Sequence, residues 1–148
     1  MRLPTNKYAL ISACTLCMLI AGCSSRVQVR GDERPYPDAL ERTPVMDIQV
    51  FRHVKTLTMT NTTSHYFGPS TIWLNARYSK PVDEFAVGQT LTIPLAEFHD
   101  EFGEIFRGGG FFAADPPQRL VLAEIESPNA TGEMRLYRLV IVADEQAE

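Results

Sequence analysis

The sequence predicts a mainly β domain, an antiparallel sandwich of about seven short strands, behind an apolar leader. Three observations predict it: runs of four to eight residues that alternate apolar and polar, clusters of turn residues between them, and a continuous apolar block confined to the first 22 residues. Composition agrees: of 148 residues, 45% are hydrophobic and 22% charged, the balance of an ordinary globular chain.

The elements follow in order. Residues 48–51 form a candidate strand. Residues 56–61 place Leu57 and Met59 on one face and Thr58 and Thr60 on the other. Residues 61–70 (NTTSHYFGPS) have loop composition. Residues 71–78 alternate most clearly, with Ile72, Leu74, Ala76 and Tyr78 against Thr71, Trp73, Asn75 and Arg77. A short strand over 82–87 ends at Gly88, and 89–95 alternates through Leu91, Ile93 and Leu95. The last two strands are 119–125 and 135–142, joined by the turn-rich stretch 127–132. The final strand is apolar on both faces, which predicts a central, covered position. One segment follows another period: Leu95, Phe98, Phe102, Ile105 and Phe106 fall at helical spacing, so a short helix near 95–106 is expected, with an irregular loop as the alternative.

Seven such strands predict an immunoglobulin-like sandwich. The cysteine pair of antibody domains is missing, so the prediction concerns architecture alone. The strand-heavy, Asn- and Thr-rich pattern resembles the small Ig-like modules of bacterial envelope proteins.

The leader has its own logic. Residues 1–7 are polar and carry Arg2 and Lys7. Residues 8–21 (YALISACTLCMLIA) are almost wholly apolar, and Gly22-Cys23-Ser24-Ser25 follows. This is the pattern of an exported chain's signal peptide. The 14-residue run is short for a permanent span, since crossing a ~30 Å hydrocarbon core takes ~20 residues. Ile20-Ala21-Gly22-Cys23 resembles the lipobox of bacterial lipoproteins, with Ile20 where leucine is usual and Leu19 one place earlier. The resemblance implies removal of residues 1–22, acylation of Cys23 on sulfur, usually with a second acylation on its new amine, and a membrane anchor through those chains. In enteric bacteria an aspartate after the cysteine resembles an inner-membrane retention signal. Ser24 stands there instead, which implies the outer membrane, facing the periplasm.

The expected organisation is therefore a removed leader (1–22), a lipidated flexible tether (23–46), the sandwich (47–143) and a short tail (144–148). The tether expectation rests on Pro35, Pro37, Pro44 and mixed charge. A coil of that length spans ~25–30 Å on average. Its Arg30-Gly31-Asp32 triplet matches an adhesion tripeptide, a match short enough to arise by chance.

Charge and cysteine content narrow the function. Net charge is −4 and becomes −6 once Arg2 and Lys7 leave with the leader. That argues against nucleic acid, which needs clustered cations. Cys14 and Cys17 show redox spacing, but they lie in the leader without a βαβ pattern. Only Cys23 survives processing, so no disulfide is expected. No cofactor or metal is expected either: His53, His65 and His99 lack ligand spacing.

Two candidate sites remain. Trp73 and Arg77, on the polar face of their strand, with Phe111 and Phe112 after the glycines, would form an amphipathic patch for a protein or other envelope component. The alternative places Trp73 on the inner face, with Ile72 and Leu74 under a loop or helix, and Phe111 and Phe112 as a plug at the sandwich end. His99, Asp100 and Glu104 would serve an envelope hydrolase or metal-dependent enzyme, with a solvated acidic face as the plainer reading. Arg107-Gly108-Gly109-Gly110-Phe111 resembles an esterase oxyanion loop but lacks its histidine and the nucleophile elbow. The leading expectation is a non-catalytic, lipid-anchored envelope protein. A small-ligand carrier is a further alternative, which would need an apolar pocket of roughly 300 Å³ or more.

Overall fold

A computed structural model of the chain describes residues 34–109 and 114–145. The leader, Cys23, the Arg-Gly-Asp triplet, Phe111, Phe112 and residues 146–148 lie outside the described residues.

The described chain is mainly β, with eight strands in two four-stranded sheets that pack as a sandwich. The first sheet has the order β5 (Thr90–Pro94), β2 (Thr56–Thr60), β1 (Gln49–His53), β8 (Val140–Glu145). The second has the order β4 (Tyr78–Val82), β3 (Ser70–Leu74), β6 (Ala123–Pro128), β7 (Met134–Arg138). Five of the six strand pairs are antiparallel. The exception is β1 with β8, which run parallel across a register shift between Val50 and Phe51.

Alternation fixes which side chains go inside. Val50, Leu57, Met59 and Ile93 from the first sheet meet Ile72, Leu74, Tyr78, Ala123, Ile125 and Tyr137 from the second. Phe67, Phe85, Leu95, Phe98 and Phe106 join this core, with Ile48, Leu120 and Leu139. Burying an aliphatic or aromatic side chain of this size contributes roughly 1.5–3 kcal/mol. The described residues contain no cysteine, so burial of this kind rather than a disulfide holds the two sheets together.

Several expected elements differ: the strand expected over 119–125 is shifted to β6, Ala123–Pro128, and three others change more deeply. The run 71–78 is two strands, because Asn75 and Ala76 both adopt positive φ (53° and 52°) and fold the chain back, with Arg77 N–H donating to Leu74 O at 3.1 Å. Hairpin turns of this hand need two left-handed residues. Asn75 is locked by its side chain, which accepts from Val121 and Leu122 N–H and donates to Arg119 O. The expected strand over 82–87 is absent beyond Val82: Phe85 instead makes an isolated bridge with Phe67. The run 135–142 is β7 and β8, which lie at the edges of different sheets rather than in the centre. Its two apolar faces arise because the chain crosses between sheets at Leu139, which donates to Ala123 O, while Val140 donates to Ile48 O.

The segment 95–106 is not a helix. A single 3-10 turn (Leu95–Glu97) leads into a tight hairpin in which Phe106 N–H donates to Phe98 O and Asp100 N–H to Glu104 O. Leu95, Phe98 and Phe106 are buried, but Phe102 is 79% exposed, which breaks the helical stripe. Gly103, at φ 80°, supplies the left-handed position of the turn.

The stretch expected as a flexible tether is, from residue 34 onward, packed against the domain. Thr43 and Met46 N–H donate to Leu136 O and Arg138 O of β7, both at 2.8 Å, and Leu136 N–H donates to Glu41 O. Arg42 bridges Leu136 in parallel. Residues 34–46 thus form a strap that covers the outer face of the second sheet.

Candidate functional site

The strap and the sheet face beneath it bring buried carboxylates, arginines and aromatic rings together. On the outer face of the second sheet, register sets Trp73 beside Glu124 and Thr71 beside Glu126, with Leu136 next to Glu126 on β7. Trp73 and Leu136 are fully buried, yet both lie outside the core between the sheets. Glu124 and Glu126 are buried as well. Burying a carboxylate is costly unless it is paired and hydrogen-bonded, and the strap supplies most of the partners.

Arg34 pairs with Glu126 and stacks over the Trp73 ring, 5.0 Å from its centroid. Tyr36 meets Trp73 edge-on, with centroids 5.3 Å apart and planes at 85°. Its hydroxyl donates to Glu124 Oε2. Arg42 donates to the Tyr36 hydroxyl at 3.1 Å and lies 3.5 Å from Glu124 Oε1. Trp73 Nε1–H donates to Glu126 Oε2 at 2.7 Å. Burial and the Glu124 carboxylate push the Tyr36 hydroxyl above its ordinary pKa, opposed in part by Arg42. The arrangement is an acidic, aromatic trench filled by an Arg-Pro-Tyr segment of the same chain. One acceptor stays unmet: among the described residues, Glu124 Oε1 is buried and accepts no hydrogen bond.

The sequence-predicted patch is therefore changed. Trp73 does lie on the face opposite Ile72 and Leu74, but the strap covers it completely and it offers no free surface. Arg77 is half exposed and engaged elsewhere, so the two do not form one open patch. Phe111 and Phe112 lie outside the described residues.

The second predicted cluster has a structural use. Asp100 and Glu104 share a cation, but it is the guanidinium of Arg77: Nη2 reaches Asp100 Oδ2 and Glu104 Oε2, both at 2.6 Å, and Nε reaches Asp100 Oδ2 at 2.9 Å. Asp100 Oδ1 accepts from the N–H groups of Phe102 and Glu104 and so shapes the hairpin. Burial raises the Asp100 pKa, but Arg77 and the two backbone donors outweigh it and hold the carboxyl below its ordinary range. His99 turns its Nδ1 to Glu97 O, and its backbone pairs with Ser79 at the edge of β4. Among the described residues, no three His, Cys, Asp or Glu side chains gather as a metal site.

Sequence reasoning missed the strap, Glu124 and Glu126. It also missed Arg52, which is buried at one end of the sandwich, donates to Gln118 O and Gly108 O, and lies over the Phe106 ring. The available signal was the alternation of Glu124 and Glu126 with Ala123 and Ile125 along one strand. A shallow groove of about 380 Å³, lined by Asp47, Gln49, Phe51, Thr60 and Thr62, lies on the opposite face of the sandwich. No family model, curated protein or solved structure matches this chain. None of the described helices is long and apolar enough to cross a membrane.

Proposed function

We propose that the chain is a lipid-anchored protein of the bacterial cell envelope, non-catalytic, whose sandwich binds another envelope component. The observation that carries this reading is the junction Ile20-Ala21-Gly22-Cys23 at the end of a short apolar leader with a basic start. The fold is compatible with it. The described residues begin at Arg34, 11 residues after Cys23, so even a fully extended connection would hold the domain within roughly 40 Å of the lipid. An anchor of several acyl chains binds a bilayer firmly, because each buried methylene contributes ~0.8 kcal/mol. Ser24 supports the outer membrane as the destination.

Intact mass of the membrane-extracted protein tests the reading, beside a Cys23→Ala variant. The expected result is loss of residues 1–22 with added acyl mass, absent from the variant. A cleaved chain without acyl mass, or an uncleaved one, would overturn the anchor.

A further inference from the structure

We propose that the outer face of the second sheet is a peptide-binding trench, which the strap occupies in cis and which takes an extended, arginine- and tyrosine-bearing segment of a partner protein in trans. The strap itself shows the ligand chemistry. It lies along β7 as an added parallel strand, so its backbone supplies hydrogen bonds, while Arg34, Tyr36 and Arg42 supply the recognition. Strand addition of this kind divides labour in that way: backbone gives affinity and alternate side chains give specificity.

Three features make the trench a site rather than a fixed part of the core. First, its floor is charged: Glu124 and Glu126 are buried carboxylates facing outward, and their charge complements an arginine-bearing segment. Second, the strap fills it imperfectly. Glu124 Oε1 accepts no hydrogen bond from the described residues, with Arg42 Nε at 3.5 Å. A segment that places a guanidinium squarely on Glu124 would meet the acceptor the strap leaves unmet. Third, the strap is held at its rim by half-exposed arginines, whose side chains are 40% and 39% accessible. Segments with few buried apolar contacts open below the global unfolding energy.

The trench also continues past the strap. A cleft of about 120 Å³ beside Pro35 and Tyr36 is lined by Arg77, Asp100 and Phe102, and Phe102 projects largely exposed at its lip. A longer incoming segment would cover that ring. Displacing residues 34–46 also lengthens the connection to Cys23, so partner binding would release the domain from its short leash. This last consequence rests on the anchor proposed above; the trench does not.

The test uses the mature, full-length chain and a fluorescent peptide of the strap sequence, RPYPDALERTPVM. Fluorescence polarisation compares the unaltered chain with an Arg34→Ala/Arg42→Ala double variant, whose substitutions sit at the half-exposed rim. A strap tethered in cis competes at an effective concentration of about millimolar. The variant is therefore expected to bind the peptide at least about tenfold more tightly than the unaltered chain. A peptide with both arginines replaced by alanine is expected to bind neither. Amide exchange of β1 and β2 confirms that the variant is folded, and Glu126→Gln added to it should weaken capture. Equal binding to both chains, or capture that ignores the peptide's arginines, would overturn the proposal. So would a concentration-dependent dimer of the unaltered chain that the double variant loses, because the occupant would then be the strap of a second copy. None of these readouts depends on lipid, so failure of the anchor and failure of the trench are separable.

Discussion

The two outer faces of the sandwich carry the same alternation and meet different fates. On the first sheet the outward residues are Gln49, Phe51 and His53 of β1, Thr56, Thr58 and Thr60 of β2, and Thr90 and Thr92 of β5. They are uncharged or weakly polar, and the threonine hydroxyls pair across strands, Thr60 with Thr90 at 2.8 Å and Thr58 with Thr92 at 3.3 Å. That face stays in water. On the second sheet the outward residues include Trp73, Glu124, Glu126 and Leu136, and that face is sealed. The lesson is that the polar phase of a strand does not by itself mean solvent. Hydroxyl side chains satisfy one another on a wet surface. A tryptophan and a leucine set among carboxylates make a surface that gains by being covered, provided that the cover brings cations.

Breaking the sealed face should cost most. Trp73→Ala is expected to destabilise the domain by about 3–5 kcal/mol, the cost of truncating a buried tryptophan, even though Trp73 lies outside the main core. Urea denaturation measures it, and a loss below about 1 kcal/mol would mean that the ring is not packed as described. Glu126→Ala is next. It removes the acceptor of the Trp73 indole and the partner of Arg34, and leaving a buried donor unmet costs about 1–3 kcal/mol. The same denaturation series reads it.

The hairpin of Asp100 ranks third and adds a pH signature. Its carboxyl is held below the ordinary range in the folded protein. The unfolded chain therefore binds the proton more readily, and the stabilisation is present above the ordinary carboxylate range. It is lost as pH falls through the depressed value. Comparing denaturation midpoints of the unaltered chain and Asp100→Asn against pH should show the two curves converging in acid. The expected difference near neutrality is about 1 kcal/mol, of the order of one net hydrogen bond. The open face should respond least: Thr58→Ala is expected to change stability by no more than about 0.5 kcal/mol, as surface substitutions usually do. A larger loss would show that the hydroxyl ladder contributes more than a wet surface should.

Much of this was legible in the sequence. Alternation along β2, β3 and β5 grouped Leu57 with Met59, Ile72 with Leu74, and Leu91 with Ile93 on single faces and set Trp73 opposite Ile72 and Leu74, but it left open which face of β3 is inward; the packed core takes Ile72 and Leu74. Helical spacing of Leu95, Phe98 and Phe106 misled, because Leu95 is buried from a single 3-10 turn and Phe98 and Phe106 from the hairpin that follows it rather than from one helix stripe. The two-faced apolarity of 135–142 was visible, but its cause, one chain serving both sheets through Leu139, depends on tertiary arrangement. The strap was hidden for a related reason. Its prolines and mixed charges have the composition of a linker, while its partners Glu124 and Glu126 stand 88 and 92 residues away from Tyr36 and Arg34. No local pattern reports a contact at that range.

The central claim is that residues 34–46 seal the outer face of the second sheet, and Trp73, the sole tryptophan of the chain, reports on it directly. Acrylamide quenching of its fluorescence should be weak in the mature chain, with blue-shifted emission. In a folded variant carrying Arg34→Ala, Tyr36→Ala and Arg42→Ala, quenching should rise severalfold and the emission should shift to the red. Strong quenching in the unaltered chain, or no change in the variant, would contradict the account.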